Sequence, residues 1–216
     1  MSYGRVTTIY LPMSRLEGYL IPLNKWTELS DFNVNGNKLS GTIPQSFFNM
    51  LKLTSLDLNN NQLTGSIPPI LSIKESFQVL MLHNNLLEGT IPESLSMLTG
   101  LRTLKLNDNL FVGTIPRFLG LLTRLNMLHL QNNQLSGTVP VLDQSYLHDI
   151  DLSVNYLTMG SLKEVPLSTF SYDVNKYNLL VLKFNCLVFR NPSKPSQNVD
   201  ATHCRGERVL PNRCCL

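Results

Sequence analysis

LTSLDLNNNQLTGSIP, at residues 53–68, is a stretch that the chain repeats at a constant interval. Similar stretches precede and follow it, and from residue 29 to residue 125 each start lies 24 residues after the previous one. A fixed period of this length predicts a solenoid, in which each unit closes its core only against its neighbours. About eight units are predicted, and they start near Val6, Leu29, Leu53, Phe77, Leu101, Leu125, Leu147 and Leu167.

The consensus of the units, L-x-x-L-x-L-x-x-N-x-L followed by G-x-I-P, resembles the plant-type leucine-rich repeat family. The resemblance implies an α/β repeat solenoid, a right-handed superhelix with a parallel β-sheet on its concave face. It also implies a second, smaller sheet around the Ile/Val-Pro part of each unit. Short helical or 3-10 turns are expected on the convex side, for example at Glu93–Met97 and Arg117–Leu121.

The fixed positions of each unit have structural roles. The segment x-L-x-L-x alternates apolar and polar residues, which predicts a short strand with one buried face. A recurring asparagine after this strand is expected to satisfy backbone groups that the turn leaves unpaired. A recurring glycine permits the backbone conformation of the next turn. The asparagines are Asn37, Asn61, Asn85, Asn109, Asn133, Asn155 and Asn175, and the glycines are Gly41, Gly65, Gly89, Gly113 and Gly137.

Charge and repeat regularity divide the chain into two parts. Residues 1–182 contain twelve Lys and Arg against thirteen Asp and Glu, whereas residues 183–216 contain six against two. The last units are shortened and degenerate, as terminal repeats are. We therefore expect a solenoid over 1–182 and a C-terminal cap with a flexible basic tail over 183–216.

All four cysteines lie in the second part. Cys186 follows FN, and Cys204 comes eighteen residues later. This spacing resembles the C-terminal cap of secreted leucine-rich repeat proteins, which implies a Cys186–Cys204 disulfide. A metal site that includes His203 is the competing interpretation, but the spacing matches no zinc motif. The pairing of Cys214 and Cys215 stays open, and no cofactor is expected.

The first residues, MSYGRVTTIY, have no apolar core of a signal peptide and enter the first unit almost at once. The paired-cysteine cap that precedes the first unit in the family is missing, so we expect a fragment or a displaced start. The alternative is a first turn that is closed in a different way. No run reaches the roughly 18 apolar residues that a membrane span needs. Family resemblance nevertheless favours an extracellular or cell-surface location.

The variable strand positions form the open surface of such a sheet and are the natural place for recognition. Three zones are predicted: an acidic N-terminal zone, a partly apolar and partly cationic central patch, and an acidic C-terminal end. This central patch suits a peptide or protein segment that carries an acidic and an apolar group, while the flanks select basic residues. The alternative is a set of ordinary solvated side chains. The candidate ligand-binding residues are Asp57, Met81, His83, Lys105, Met127, His129, Gln131, Asp149, Asp151 and Asp173.

An enzyme is not expected, because an open ribbon does not exclude water and the chain has none of the common catalytic or phosphate-binding motifs. A nucleic-acid protein is not expected either, because the solenoid has no basic stripe with interleaved aromatic residues. The favoured function is protein or peptide recognition in signalling or defence, as in the ectodomains of plant receptor-like proteins and receptor-like kinases.

Two alternatives stay open. The first is an inhibitor of a cell-wall hydrolase that resembles the polygalacturonase-inhibiting proteins. Those proteins have both cysteine caps and more aromatic residues on the sheet than Tyr10 alone. The second is an ice-binding protein, which needs a flat, regular array of Thr, Asn and Ser. The array would include Asn33, Asn35, Asn59 and Asn107 but would be interrupted by Met81, Lys105 and His129.

Overall fold

The computed structural model describes residues 5–140, 142 and 147–158. Two parallel sheets of seven strands each run along the length of this part, and strands of successive units are neighbours in both sheets. This arrangement confirms the predicted leucine-rich repeat solenoid. The unit that starts at Leu167, the boundary at residue 182, Asn175, Asp173 and the four cysteines lie outside the described residues.

The first sheet is formed by the x-L-x segment of each unit. Its central residue is buried and the residues on either side face outward, as in Val79-Leu80-Met81. Successive strands pair without any shift, so that equivalent residues of neighbouring units stand side by side, for example Met81 beside Lys105. The strands are β1 (Thr8–Tyr10), β3 (Asp31–Asn33), β5 (Ser55–Asp57), β7 (Val79–Met81), β9 (Thr103–Lys105), β11 (Met127–His129) and β13 (Asp149–Asp151).

The second sheet lies one turn later in each unit. It is formed by the residues that precede the Ile/Val-Pro pair, whereas the sequence predicted a sheet around that pair. The proline explains the difference, because it has no N–H group to donate to a strand ladder. The strands are β2 (Glu17–Tyr19), β4 (Lys38–Gly41), β6 (Gln62–Gly65), β8 (Leu86–Thr90), β10 (Leu110–Thr114), β12 (Gln134–Thr138) and β14 (Tyr156–Thr158).

The recurring asparagines connect the units between the two sheets. The side chain of Asn109 accepts a hydrogen bond from the backbone N–H of Leu87 at 3.0 Å. It donates to the carbonyl oxygens of Leu82, Leu106 and Asn107 at 3.0 to 3.2 Å. Asn61, Asn85 and Asn133 make equivalent bonds, which confirms the structural role that the sequence predicted.

The glycine at the end of the second-sheet strand is required for two reasons. Gly113 has a φ of +80°, a conformation that side chains with a Cβ rarely adopt. A Cβ at this position would also lie 3.0 Å from the Cγ2 methyl of Thr90 in the preceding unit. The predicted role of these glycines is therefore confirmed.

The convex side carries short helices, as predicted. Glu93–Met97 and Arg117–Leu121 are 3-10 helices, and α1 (Ser46–Asn49) is a single turn of α-helix. The unit between α1 and Glu93–Met97 has no such turn and places Lys74 where its neighbours have Met50, Leu98 and Leu122. The Lys74 side chain is 4% exposed, and its Nζ donates to the carbonyl oxygen of Met50 at 2.6 Å.

The core is one continuous column of stacked apolar side chains that runs between the sheets and the convex side. Leu56, Leu80, Leu104 and Leu128, the central residues of consecutive first-sheet strands, are completely buried. Within the described residues, no helix is long and apolar enough to cross a membrane.

Candidate functional site

The exposed face of the first sheet brings the predicted recognition residues into three straight rows. The row through the last strand residues contains Asp57, Met81, Lys105, His129 and Asp151, one from each of five consecutive units. The row two residues later contains Asn59, His83, Asn107, Gln131 and Ser153. The row through the first strand residues contains Ser55, Val79, Thr103, Met127 and Asp149. The unshifted pairing of the strands places neighbours of a row about 4.8 Å apart.

The N-terminal zone is a closed network of hydrogen bonds. Asp57 is only 8% exposed, and its carboxylate accepts from the side-chain amides of Asn33 at 3.1 Å and Asn35 at 3.2 Å. It also accepts from the backbone and side-chain nitrogens of Asn59. The acceptor positions of Asp57 are thus occupied within the protein.

The central patch, which consists of Met81, His83, Lys105, Met127 and His129, is half-buried throughout, as is the further candidate residue Gln131. Lys105 stands between Met81 and His129 in its row. No carboxylate of the described residues lies within ion-pair distance of its ammonium group. The patch therefore presents an unpaired cation beside the thioether side chain of Met81, while Met127 lies one unit further on, in the row through the first strand residues.

The surroundings of His83 favour the neutral form of its imidazole. Burial lowers the pKa of its imidazole, and the positive charge of Lys105 lowers the pKa further. The carboxylates of Asp57 and Asp108 oppose this shift more weakly. A neutral imidazole can both donate and accept a hydrogen bond, so His83 can bind polar groups without adding a charge to the patch.

His129 connects the patch to the acidic end of the row. Its Nε2 lies 2.9 Å from Oδ1 of Asp149 in the next unit, within ion-pair range but not aligned for a hydrogen bond. The Asp149 carboxylate is about half exposed, while one oxygen of Asp151 accepts from the backbone N–H of Ser153. Both carboxylates remain accessible to a cationic group. Asp173, the third acidic residue that the sequence predicted here, lies outside the described part.

Four buried side-chain atoms of the described residues have no hydrogen-bond partner, and all four lie in this region: His83 Nδ1, Asn107 Oδ1, His129 Nε2 and Gln131 Oε1. Buried polar atoms are nearly always paired in folded proteins. Sequence reasoning placed Asn107 in the array of Thr, Asn and Ser but did not include it among the candidate ligand-binding residues. Its position between His83 and Gln131 in one row was the available signal.

In the turn that follows the row of His83, Asn107 and Gln131, the polar side chains are hydrogen-bonded to one another. Asn84 donates to Asn60 at 2.7 Å, and Asn132 donates to Asp108 at 2.6 Å. The four unpartnered atoms thus lie between two sets of hydrogen-bonded side chains, one in this turn and one around Asp57. Among the described residues, no group of three His, Cys, Asp or Glu side chains is arranged to bind a metal ion.

The geometry defines a class of protein: a leucine-rich repeat solenoid whose parallel sheet presents variable side chains on one open face. The Leucine Rich Repeat family model matches residues 28–50, 52–72 and 76–98. Comparison with curated protein sequences finds no match.

The solved structures that resemble this chain are structures of receptors. The ectodomain of the Arabidopsis receptor kinase HAESA, in complex with an IDA peptide hormone, is 34% identical with a TM-score of 0.63 over 66% of this chain. A TDR receptor is 33% identical with a TM-score of 0.63 over 67% of this chain. Pollen Receptor Kinase 3 is 30% identical with a TM-score of 0.59 over 70% of this chain.

The chain belongs to the plant-type leucine-rich repeat family, and the structures it resembles are receptor ectodomains. Its coverage of these structures is uneven. The chain spans 24% of the HAESA structure and 26% of the TDR receptor structure, but 72% of that of Pollen Receptor Kinase 3.

Proposed function

We propose that this chain is a non-catalytic recognition module that binds a peptide or protein segment on its concave face. The observation that carries the proposal is the central patch, where an unpaired lysine stands beside Met81 and one unit before Met127. Such a surface suits a ligand with an acidic group for Lys105 and an apolar group for Met81 and Met127. The related HAESA structure contains a peptide hormone, which supports this class of ligand.

The acidic end extends the proposed contact surface. Asp149 and Asp151 have accessible carboxylates one unit beyond His129, so they favour a basic residue of the ligand at that end. Asp57 has a different role in this proposal, since its buried carboxylate orders the asparagines at the other end of the patch. We place the surface outside the cell, in keeping with the receptor ectodomains that the chain resembles.

The test uses the full chain and a displayed library of short linear peptides. Peptides selected on the immobilised wild-type protein are synthesised, and their Kd is measured by biolayer interferometry. Lys105→Glu reverses the charge of the patch and is expected to weaken binding by about tenfold or more. Arg117→Glu makes the same charge change on an exposed residue of the convex side, so its Kd should stay within about twofold of wild type.

The selected peptides should be enriched in acidic residues that adjoin apolar ones. Binding that is equally tight to wild type and to Lys105→Glu would contradict the proposal, because the ligand would then contact some other surface. Thermal unfolding of both variants checks that each is folded. Both positions are solvent-accessible, so a large change in stability is not expected.

A further inference from the structure

The unit that starts at Leu53 exposes an apolar side chain on the convex side at a position that its neighbours bury. Leu71 is 71% exposed in this unit. The equivalent residues of the neighbouring units are only 0 to 2% exposed, and they are Phe47, Leu95 and Leu119. The segment that carries Leu71 also lacks the short helix of those units. One unit thus presents to solvent a position that the repeat otherwise uses for its core.

Further apolar side chains extend this exposed position into a patch. The backbone N–H of Lys74 donates to the carbonyl oxygen of Met97 at 2.8 Å, which places Ile73 next to Met97 of the following unit. The Nζ of Lys74 reaches the preceding unit at Met50, and Leu51 follows directly. A contiguous exposed apolar patch is typical of an interaction site, whereas single exposed apolar residues are not. The convex patch consists of four exposed side chains from three consecutive units: Leu51, Leu71, Ile73 and Met97.

Two carboxylates border the convex patch. Glu75 follows Ile73 by two residues, and Glu93 begins the 3-10 helix that ends at Met97. Both carboxylates are exposed, and neither has a cation of the described residues within ion-pair distance. The apolar surface is therefore combined with two negative charges that have no partner in this part of the protein.

The neighbouring cations do not neutralise these carboxylates. Lys52, beside the patch, is bound to Glu28 at 2.6 Å. Lys74 lies beneath the patch and is buried. Arg117 and Arg124 belong to the unit beyond it. The patch thus favours a partner that carries apolar and cationic groups together.

We infer that the convex patch binds an amphipathic helix of a partner protein, whose apolar face is bordered by Lys or Arg. Apolar residues on one face of a helix lie about 5–6 Å apart, close to the interval of about 4.8 Å between the strands of successive units. A helix that lies along the solenoid therefore places successive apolar residues against Leu51, Ile73 and Met97. Its flanking cations contact Glu75 and Glu93. Because the convex patch is separate from the central patch, this inference goes beyond the proposed function and does not depend on it.

The test uses the full chain and two synthetic peptides of about 18 residues, stapled so that each forms a helix of about five turns. Both peptides have leucines on one face, and the polar face carries lysines in one peptide and glutamates in the other. Their Kd values are measured by fluorescence anisotropy. The lysine peptide is expected to bind wild type at least about tenfold more tightly than the glutamate peptide. In the double variant Glu75→Lys, Glu93→Lys the order of the two peptides should reverse.

Apolar contacts are tested by the double variant Leu71→Ser, Ile73→Ser, which should weaken the lysine peptide by about tenfold. Leu86→Ser and Glu88→Lys make matched changes at exposed residues of the second sheet and should leave its Kd within about twofold of wild type. Circular dichroism checks that each variant is folded.

Three outcomes would overturn the inference. The first is equal binding of the two peptides to wild type, a comparison that needs no variant protein and is unaffected by folding defects. The second is a loss for Leu86→Ser or Glu88→Lys as large as the loss for the convex variants. The third is a wild-type dimer in analytical ultracentrifugation that becomes monomeric in Leu71→Ser, Ile73→Ser, since the patch would then bind a second copy of the chain.

Discussion

Replacing Asn109 by alanine is expected to destabilise the protein far more than the loss of one surface amide would. Asn109 is 6% exposed and bonds to four backbone groups of its own and the preceding unit. The carbonyl oxygens of Leu82 and Leu106 would each keep a second asparagine donor, from Asn85 and Asn133 respectively. The carbonyl oxygen of Asn107 would keep the N–H of Asn84 at 3.1 Å, whereas the N–H of Leu87 would lose its acceptor.

The expected loss in the free energy of unfolding follows from which of these backbone groups keep a hydrogen-bond partner. A buried donor left unpaired costs about 1–3 kcal/mol, and each of the other lost bonds contributes about 0.5–1 kcal/mol. We expect Asn109→Ala to lower the free energy of unfolding by about 3–4 kcal/mol, measured by urea denaturation followed by circular dichroism. Asn126→Ala, on an exposed residue of the next unit, is the matched control and should stay within about 0.5 kcal/mol. A loss below about 1 kcal/mol for Asn109→Ala would refute the idea that these side chains connect the units.

Two further predictions concern Lys74 on the convex side and Gly113 in the second sheet. Burial lowers the pKa of Lys74 from its ordinary value of 10.5, so the cost of charging it in the folded state is present at neutral pH and disappears as the pH rises toward that value. Lys74→Met removes that cost together with the hydrogen bond to the carbonyl oxygen of Met50, so the variant should gain stability relative to wild type at pH 7 compared with pH 10. The gain should shrink in urea titrations near pH 10, and a gain that is independent of pH would contradict this explanation; Lys25→Met, on an exposed lysine, is the control. Gly113→Ala should cost about 1–2 kcal/mol, because alanine is strained at a φ of +80° and its Cβ would crowd the Thr90 methyl. Adding Thr90→Ser removes that methyl and should recover part of the loss, and failure to recover any would assign the whole cost to backbone conformation.

The sequence predicted the fold well because the repeated positions carry the information. The strands, the asparagine bonds, the glycines and both 3-10 helices at Glu93–Met97 and Arg117–Leu121 follow from a pattern that recurs every 24 residues. The second sheet was placed a few residues too late. The Ile/Val-Pro pair is extended, but extension alone does not supply the N–H donors that a ladder needs.

The sequence did not predict which side chains on the concave face are buried and hydrogen-bonded and which are unpaired. The positions of Asp57, Lys105 and Asn107 in their rows follow from the repeat, yet only the structure shows which of them are paired. Asp57 is buried because asparagines stand on both sides of it, at Asn33, Asn35 and Asn59. The pattern N-x-N followed one unit later by D-x-N was the sequence signal for that network.

Lys74 shows a different limit of prediction from the repeat pattern. Its position in the repeat is one where the neighbouring units have apolar residues, and the repeat pattern alone does not show whether the lysine is buried. The structure keeps the position buried and lets Nζ reach the carbonyl of Met50. A long aliphatic side chain makes this possible, since its methylene groups fill the apolar site while the charged end finds an acceptor.

The asparagine bonds also bear on how such a chain can change in length. The unit that starts at Leu147 follows its predecessor after only 22 residues, yet Asn155 still accepts from the N–H of Leu135 at 3.0 Å. Met127 still stands beside Asp149, in the unshifted register of the longer units. The loss of two residues from this interval therefore leaves the alignment of the concave rows unchanged. A lineage of such proteins can vary its outer loops freely while the spacing of its ligand contacts stays constant.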